Sequence, residues 1–165
     1  MPRADTGLDL WALPLDRPAA AASITADRGS EESGAFSPDG RWLAFTADRG
    51  GRAEVVVASV EATQSEMRLG KVRIPVSTEG GSRARWRADG KEMFFKGLDG
   101  RLYAVPVKPA GSGLVFGTPV PLFRGPNLTD WDVMPDGQQF VVVDEPYAAA
   151  QTLRVLTNWT ARLKP

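Results

Sequence analysis

The sequence predicts an all-β fold, a β-propeller of four-stranded blades, and three observations predict it. A hairpin signal centred on an Asp-Gly pair recurs three times. An almost continuously apolar run follows each hairpin, and a short apolar element precedes each one at a nearly fixed distance. Four strands repeated at about 47 residues form the signature of a propeller blade. A β-sandwich, the competing all-β reading, would not require its segments to resemble one another.

The hairpins align without gaps as AFSPDGRWLAFT, RWRADGKEMFFK and DVMPDGQQFVVV. Their turns are Asp39-Gly40, Asp89-Gly90 and Asp136-Gly137, spaced 50 and 47 residues apart. Phe36, Trp86 and Val133 stand three residues before each aspartate, and Phe45, Phe95 and Val142 six residues after it. In Ser37-Pro38-Asp39-Gly40, proline presets φ at the second turn position. Aspartate bonds its own backbone at the third, and glycine takes the left-handed conformation that returns the chain. Ala88 replaces the proline in the second copy, which loosens that turn without forbidding it.

The next strand reads Val55–Val60 in one repeat and Leu102–Val107 in the next, and Leu10–Leu15 matches the latter down to its proline. Such runs suit a strand covered on both faces, and the proline suits a strand end or edge. The last copy is Leu153–Leu156. The outer elements are Ile24-Thr25, Val76-Ser77 and Leu122-Phe123, which lie 15, 13 and 14 residues before Asp39, Asp89 and Asp136. Glycine and proline punctuate these runs, and no dozen-residue stretch keeps helical apolar spacing. The alanine clusters Ala19–Ala22 and Ala148–Ala150 are short and flanked by proline, so they read as loops.

The expected organisation is therefore a partial propeller over 1–165, about three and a half blades of an incomplete ring. It comprises orphan strands of a truncated blade over 9–33, blades over 34–78 and 79–124, and a last blade with a closing segment over 125–165. Closed propellers have more blades than this. The economical expectation is the C-terminal part of a longer ring, with further blades of the same polypeptide as its neighbours.

Composition bounds the chemistry. The 165 residues carry 20 basic and 20 acidic side chains, which gives no basic footprint for nucleic acid or anionic membranes. There is no cysteine and no histidine. Disulfides, thiolate metal sites, Ser-His-Asp and Cys-His catalysis and nearly every zinc site are thereby excluded. No cofactor or metal is expected. No apolar run approaches the ~18 residues of a membrane span, and MPRADTGLDLW lacks the apolar segment of a secretory signal.

FSPDGRWLAF with its following apolar strand resembles the repeat of TolB-type, WD-like propellers. DLWALPL, FSPDGRWLAFTADRGGRAEVVVASV, VSTEGGSRARWRADGKEMFFKGLDGRLYAVPVK and LTNWTARLKP together resemble the C-terminal propeller of bacterial eukaryotic-like serine/threonine kinases. That resemblance covers about Asp9 to Lys164. It implies an upstream kinase domain, often a membrane segment, and this propeller as the sensing part on the extracytoplasmic side. The chain itself has no His-Arg-Asp loop, Asp-Phe-Gly or glycine-rich phosphate loop, so phosphoryl transfer is not expected of it. A propeller accessory to a peptidase-type hydrolase and a TolB-like periplasmic scaffold are the alternatives.

The aligned repeats place Ser33 and Ala35, Arg83 and Arg85, and Asp130 and Asp132 at equivalent positions. Each pair is spaced i, i+2, on one face of the innermost strand of its blade. One expectation is a channel-mouth site in which Arg83, Arg85, Asp130 and Asp132 engage a polar ligand or a peptide, with Trp131 near the rim. The plainer one is that Arg85 and Asp132 pair across neighbouring blades and only stabilise the wall. Catalysis by Asp130 and Asp132 is disfavoured, because neighbours on one strand do not face each other across a scissile bond. Ser112 in Gly111-Ser112-Gly113 lacks both the elbow spacing and a base. Trp42, Trp86 and Trp159 fit blade packing.

Overall fold

The computed structural model describes residues 7–25, 29–48, 50–63, 66–125, 128–144 and 152–157. The closing segment with Trp159 and the alanines at 148–150 lie outside them. The chain divides into two compact units, Met1–Arg83 and Ala84–Pro165. The described residues contain no α-helix. Pro18–Ala20 forms one 3-10 turn within the first alanine cluster.

The first unit opens with β1 (Trp11–Ala12) paired antiparallel to β2 (Ala22–Ser23). Next come β3 (Ser30–Phe36), β4 (Trp42–Asp48), β5 (Ala53–Ala62) and β6 (Met67–Pro75), antiparallel in the order β3-β4-β5-β6. β3 enters its sheet at Ser30, ahead of the boundary expected at 34. Its first residues, Ser30-Glu31-Glu32, are polar, and Glu31 is buried. β7 (Gly81–Trp86), β8 (Glu92–Gly97), β9 (Arg101–Ala110) and β10 (Gly113–Phe116) run in the order β10-β9-β8-β7. β11 (Val120–Arg124) also pairs with β9. Gly111-Ser112 is thus the turn between β9 and β10. The third hairpin gives β12 (Leu128–Val133) and β13 (Gln139–Asp144), and β14 (Thr152–Thr157) completes the order β12-β13-β14.

All three Asp-Gly turns close with the same bonds. The amides of Gly40, Gly90 and Gly137 donate to the carbonyls of Ser37, Arg87 and Met134 at 2.9, 2.9 and 2.8 Å. Asp39, Asp89 and Asp136 each accept the amide two residues on, at 3.1, 3.0 and 2.9 Å. In the first turn Ser37 Oγ adds a bond to Asp39 at 2.6 Å, and in the second the Arg87 guanidinium grips Asp89 at 2.7 and 2.8 Å. The Ser37 hydroxyl and then Arg41 hold the Asp39 carboxyl down to about 2, and Arg87 and then the Lys91 amide do the same for Asp89.

A carboxyl whose pKa is lower folded than unfolded stabilises above its unfolded value near ~3.9, and that contribution is lost as pH falls toward the folded value. The thermal midpoint should therefore hold from neutral pH to about pH 4 and then fall toward about pH 2. Asp39→Asn should make that acid limb shallower, as read by circular dichroism melts across the range. Both carboxylates are nearly half exposed, so screening keeps each share modest.

Two of the expected outer elements sit one step beyond their strands. Ile24-Thr25 follows β2 and Val76-Ser77 follows β6, whereas Leu122-Phe123 lies within β11. The displaced pairs act as clips. Thr25 Oγ1 accepts the Leu10 amide and Ser77 Oγ accepts the Val55 amide, both at 2.8 Å, and Leu10 and Val55 are equivalent in the repeat. Ser77 Oγ in turn donates to Glu54, which also receives the Gly80 amide at 3.1 Å and Arg52 at 2.9 Å. Ser77 is buried. Ser77→Ala should cost roughly 1–3 kcal/mol by stranding the Val55 amide and one Glu54 bond, while Ser77→Thr keeps the hydroxyl. Urea titration of both variants measures the difference.

Each unit has its own apolar centre. In the first, Leu43, Phe45 and Ala47 of β4 meet Val56 and Ala58 of β5, with Leu10 and Ile24 packed against them. In the second, Phe94, Leu102 and Ala104 meet Leu128, Trp131, Phe140 and Val142. The positions alternate along each strand, as the pleat requires.

Candidate functional site

The pleat of β12 decides what this part of the second unit presents. Opposite β13, Asp130 pairs with Val143, Trp131 with Val142 and Asp132 with Val141. Val142 is buried, while Val141 and Val143 are partly exposed. Asp130 and Asp132 consequently face outward, and Trp131 between them faces the core. Trp131 is 3% exposed and packs on Phe140. An outward i, i+2 pair turns the intervening residue inward, so Trp131 lies beneath the aspartates rather than beside them at the surface. Its Nε1 is buried without a hydrogen-bond partner among the described residues.

Arg85, from β7, reaches this strand. Its guanidinium carbon stands 5.8 Å from the centre of the Trp131 ring. Its Nη2 lies 4.0 Å from Asp130 Oδ1, and its Nε lies 3.8 Å from Asp132 Oδ1. Both carboxylate oxygens also accept backbone amides, Asp130 from Trp131 at 2.9 Å and Asp132 from Val133 at 2.8 Å. Four of the five expected residues are thus assembled: one cation over an aromatic face, flanked by two outward carboxylates.

Arg83 stands differently. Its φ is 55°, and Ser33, its repeat equivalent, has φ 57°. β3 shifts register between Glu32 and Ala35 at this place. A residue with positive φ departs from the extended strand whose side chains alternate, so the i, i+2 rule does not by itself put Arg83 and Arg85 on one face. The Arg83 amide donates to Thr46 Oγ1 at 3.1 Å, a structural bond. No glycine stands at Arg83 or Ser33 to announce the left-handed conformation that the two share.

The two ion pairs are long, and the carboxylates are well exposed, with side-chain accessibilities of 55% and 76%. Pairs of this kind contribute little. A double-mutant cycle with Arg85→Gln and Asp132→Asn should return a coupling below about 1 kcal/mol in urea unfolding. A coupling above about 2 kcal/mol would make the pair a wall element and count against a binding role.

Other polar groups have structural work. Burial raises the Glu92 carboxyl although Arg87 Nη1 donates to it at 2.8 Å. Asp99 ties the β8–β9 turn by accepting the Arg101 amide at 3.1 Å and the Tyr103 hydroxyl at 3.0 Å. Asp99-Gly100 is a fourth Asp-Gly turn, outside the three aligned hairpins, closed by the Gly100 amide on the Gly97 carbonyl at 3.1 Å. Among the described residues no group of three His, Cys, Asp or Glu side chains could hold a metal ion. No described helix is long and apolar enough to cross a membrane.

No family model matches the chain, and no curated protein matches it. Among solved structures it is similar to TolB from Acinetobacter baumannii, with a TM-score of 0.66 at 20% identity. The match covers 91% of this chain and 35% of that one, so the chain spans about a third of the length of the TolB structure. The fold is a TolB-like β-propeller fold, the class expected from the repeats.

Proposed function

We propose that this chain is a non-catalytic binding module that engages a protein or peptide through Arg85, Asp130 and Asp132, with Trp131 as the floor beneath the arginine. The observation that supports it is the cluster itself. Two carboxylates face outward from one strand, and a single guanidinium lies at the outer limit of ion-pairing distance from both. A basic side chain of a partner would pair with Asp132, and a partner carboxylate would pair with Arg85 in a bidentate manner. The chain's lack of histidine and cysteine supports a role in binding rather than catalysis. The placement of the cluster at a channel mouth is part of the same proposal.

Two contexts are compatible with such a module. The quoted sequence segments support the sensor part of a bacterial serine/threonine kinase, outside the membrane. The likeness in fold to TolB supports a scaffold for protein partners. Sequencing the coding region upstream of Met1 separates them: a kinase domain with a membrane span supports the first, and a signal peptide with a small domain the second. An adjoining α/β-hydrolase would refute both in favour of an accessory propeller.

Selection of random peptides on the wild-type chain, with counter-selection on the Asp130→Asn/Asp132→Asn variant, tests the site. Peptides should be enriched in lysine or arginine and should lose at least about tenfold in affinity for the variant, as loss of charge-assisted bonds implies. Peptides that bind both proteins equally would move the site elsewhere.

A further inference from the structure

We propose that Asp136-Gly137 is the place where this chain converts spontaneously to isoaspartate, ahead of its three other Asp-Gly turns. In that conversion the Gly137 backbone nitrogen attacks Asp136 Cγ, and glycine offers the least hindered nitrogen for it. The N–H proton and the carboxyl hydroxyl leave as water, and a succinimide ring closes. Water then adds to the former main-chain carbonyl of Asp136, and the bond from that carbon to the Gly137 nitrogen breaks. The chain now runs through the side-chain carbonyl, one methylene longer and unchanged in mass.

The four turns form a matched set. The amides of Gly40, Gly90, Gly100 and Gly137 donate to the carbonyls three residues back at 2.9, 2.9, 3.1 and 2.8 Å. Their φ angles are 69°, 69°, 78° and 72°. Each aspartate accepts the amide two residues on, at 3.1, 3.0, 3.1 and 2.9 Å. The attacking nitrogen is therefore placed alike in all four, and what differs is the set of side chains around the carboxylate.

Three of the carboxylates are clasped. Asp39 receives Ser37 Oγ at 2.6 Å and Arg41 Nε at 2.7 Å. Asp89 receives two nitrogens of Arg87 at 2.7 and 2.8 Å. Asp99 receives Arg101 Nη1 and the Tyr103 hydroxyl, both at 3.0 Å. A clasp opposes the reaction twice. It holds the carboxyl carbon in one rotamer, and it keeps the group an anion, which is a poor electrophile. Ser37 and then Arg41 hold Asp39 down to about 2 in this way, as Arg87 does Asp89. In the third hairpin the same two places, two residues before and two after, hold Met134 and Gln138. A thioether donates nothing, and a neutral amide forms the weaker kind of bond. Asp136 is exposed at the turn, which joins β12 to β13 and sets their register.

The test incubates the full chain, folded and in urea, in warm, mildly acidic buffer and maps isoaspartate by electron-transfer mass spectrometry. In the folded chain Asp136 should convert at least about threefold faster than each of the other three, the bias that one exposed clasp gives. In urea the four should converge, because glycine follows each. Met134 is 50% exposed, so Met134→Arg can copy the clasp of Arg87. That variant should slow Asp136 by about threefold or more, and Arg87→Met should speed Asp89 likewise. Asp39, Asp89 or Asp99 keeping pace with Asp136 in the folded chain would overturn the proposal. So would the same ranking in urea, which would assign it to local sequence, or a folded Met134→Arg chain converting as fast as the wild type. Conversion of the four in urea but of none in the folded chain would mean that the bond from the Gly137 amide to Met134 protects the site, and would overturn it too.

Discussion

Phe140→Ala should lower the unfolding free energy by roughly 3–5 kcal/mol, the range for truncating a large buried aromatic. Phe140 is completely buried and sits among three other rings. Phe94 meets it edge-on at 5.1 Å, Phe123 at 5.5 Å and Trp131 at 6.1 Å. Removing it takes away its own transfer free energy and leaves a cavity bounded by groups from β8, β11 and β12 that cannot all close in. Val141→Ala, the next residue on the opposite face and 39% exposed, is expected to cost less than about 1 kcal/mol. Urea midpoints of the two variants give the comparison. Equal losses would mean that the pleat of β13 is not oriented as described.

Much of this contrast was legible in the sequence. Phe140, Val142 and Trp131 fall on inward positions of a period-two pattern anchored by Asp136-Gly137, and that turn fixes the register. The hairpins were the clearest elements, since their proline, aspartate and glycine each meet a local stereochemical demand. β6 and the start of β3 were obscured. Met67–Pro75 interleaves Arg68, Lys71 and Arg73 with its apolar residues, and Ser30-Glu31-Glu32 looks like a loop. Their strand character comes from tertiary pairing with β5 and β4, which local propensity does not record.

The candidate site was legible in part. Repeat alignment brought Arg85 together with Asp130 and Asp132, because equivalent positions of successive repeats occupy equivalent places on their strands. The burial of Trp131 was legible too, since the same alternation that faces the aspartates outward turns the tryptophan between them inward. Arg83 escaped the alignment. Its left-handed φ departs from the extended strand that the i, i+2 rule assumes, and an arginine in that conformation has no sequence mark comparable to glycine.

Gly137→Ala should cost about 2–4 kcal/mol and Gly40→Ala only about 1–2, although the two glycines hold the same turn position. Both are left-handed, with φ 72° and 69°, so each alanine bears the same backbone penalty. The surroundings then separate them. A Cβ on Gly40 meets nothing within 4 Å. On Gly137 it would lie 2.7 Å from Arg87 Cδ and 3.3 Å from Phe94 Cζ. A free arginine would swing aside, but Arg87 is held by Asp89 at 2.7 Å and by Glu92 at 2.8 Å. Phe94 is locked in the core. Relief therefore requires breaking an ion pair or shifting the aromatic cluster, and either adds about 1–3 kcal/mol. If Arg87 is the obstacle, the excess should largely vanish in an Arg87→Ala background, where the double-mutant cycle would show a coupling of about 1 kcal/mol or more. Equal costs for the two glycines in the wild-type background would show that Arg87 yields freely, and that the grip of Asp89 and Glu92 on it is weaker than their distances indicate.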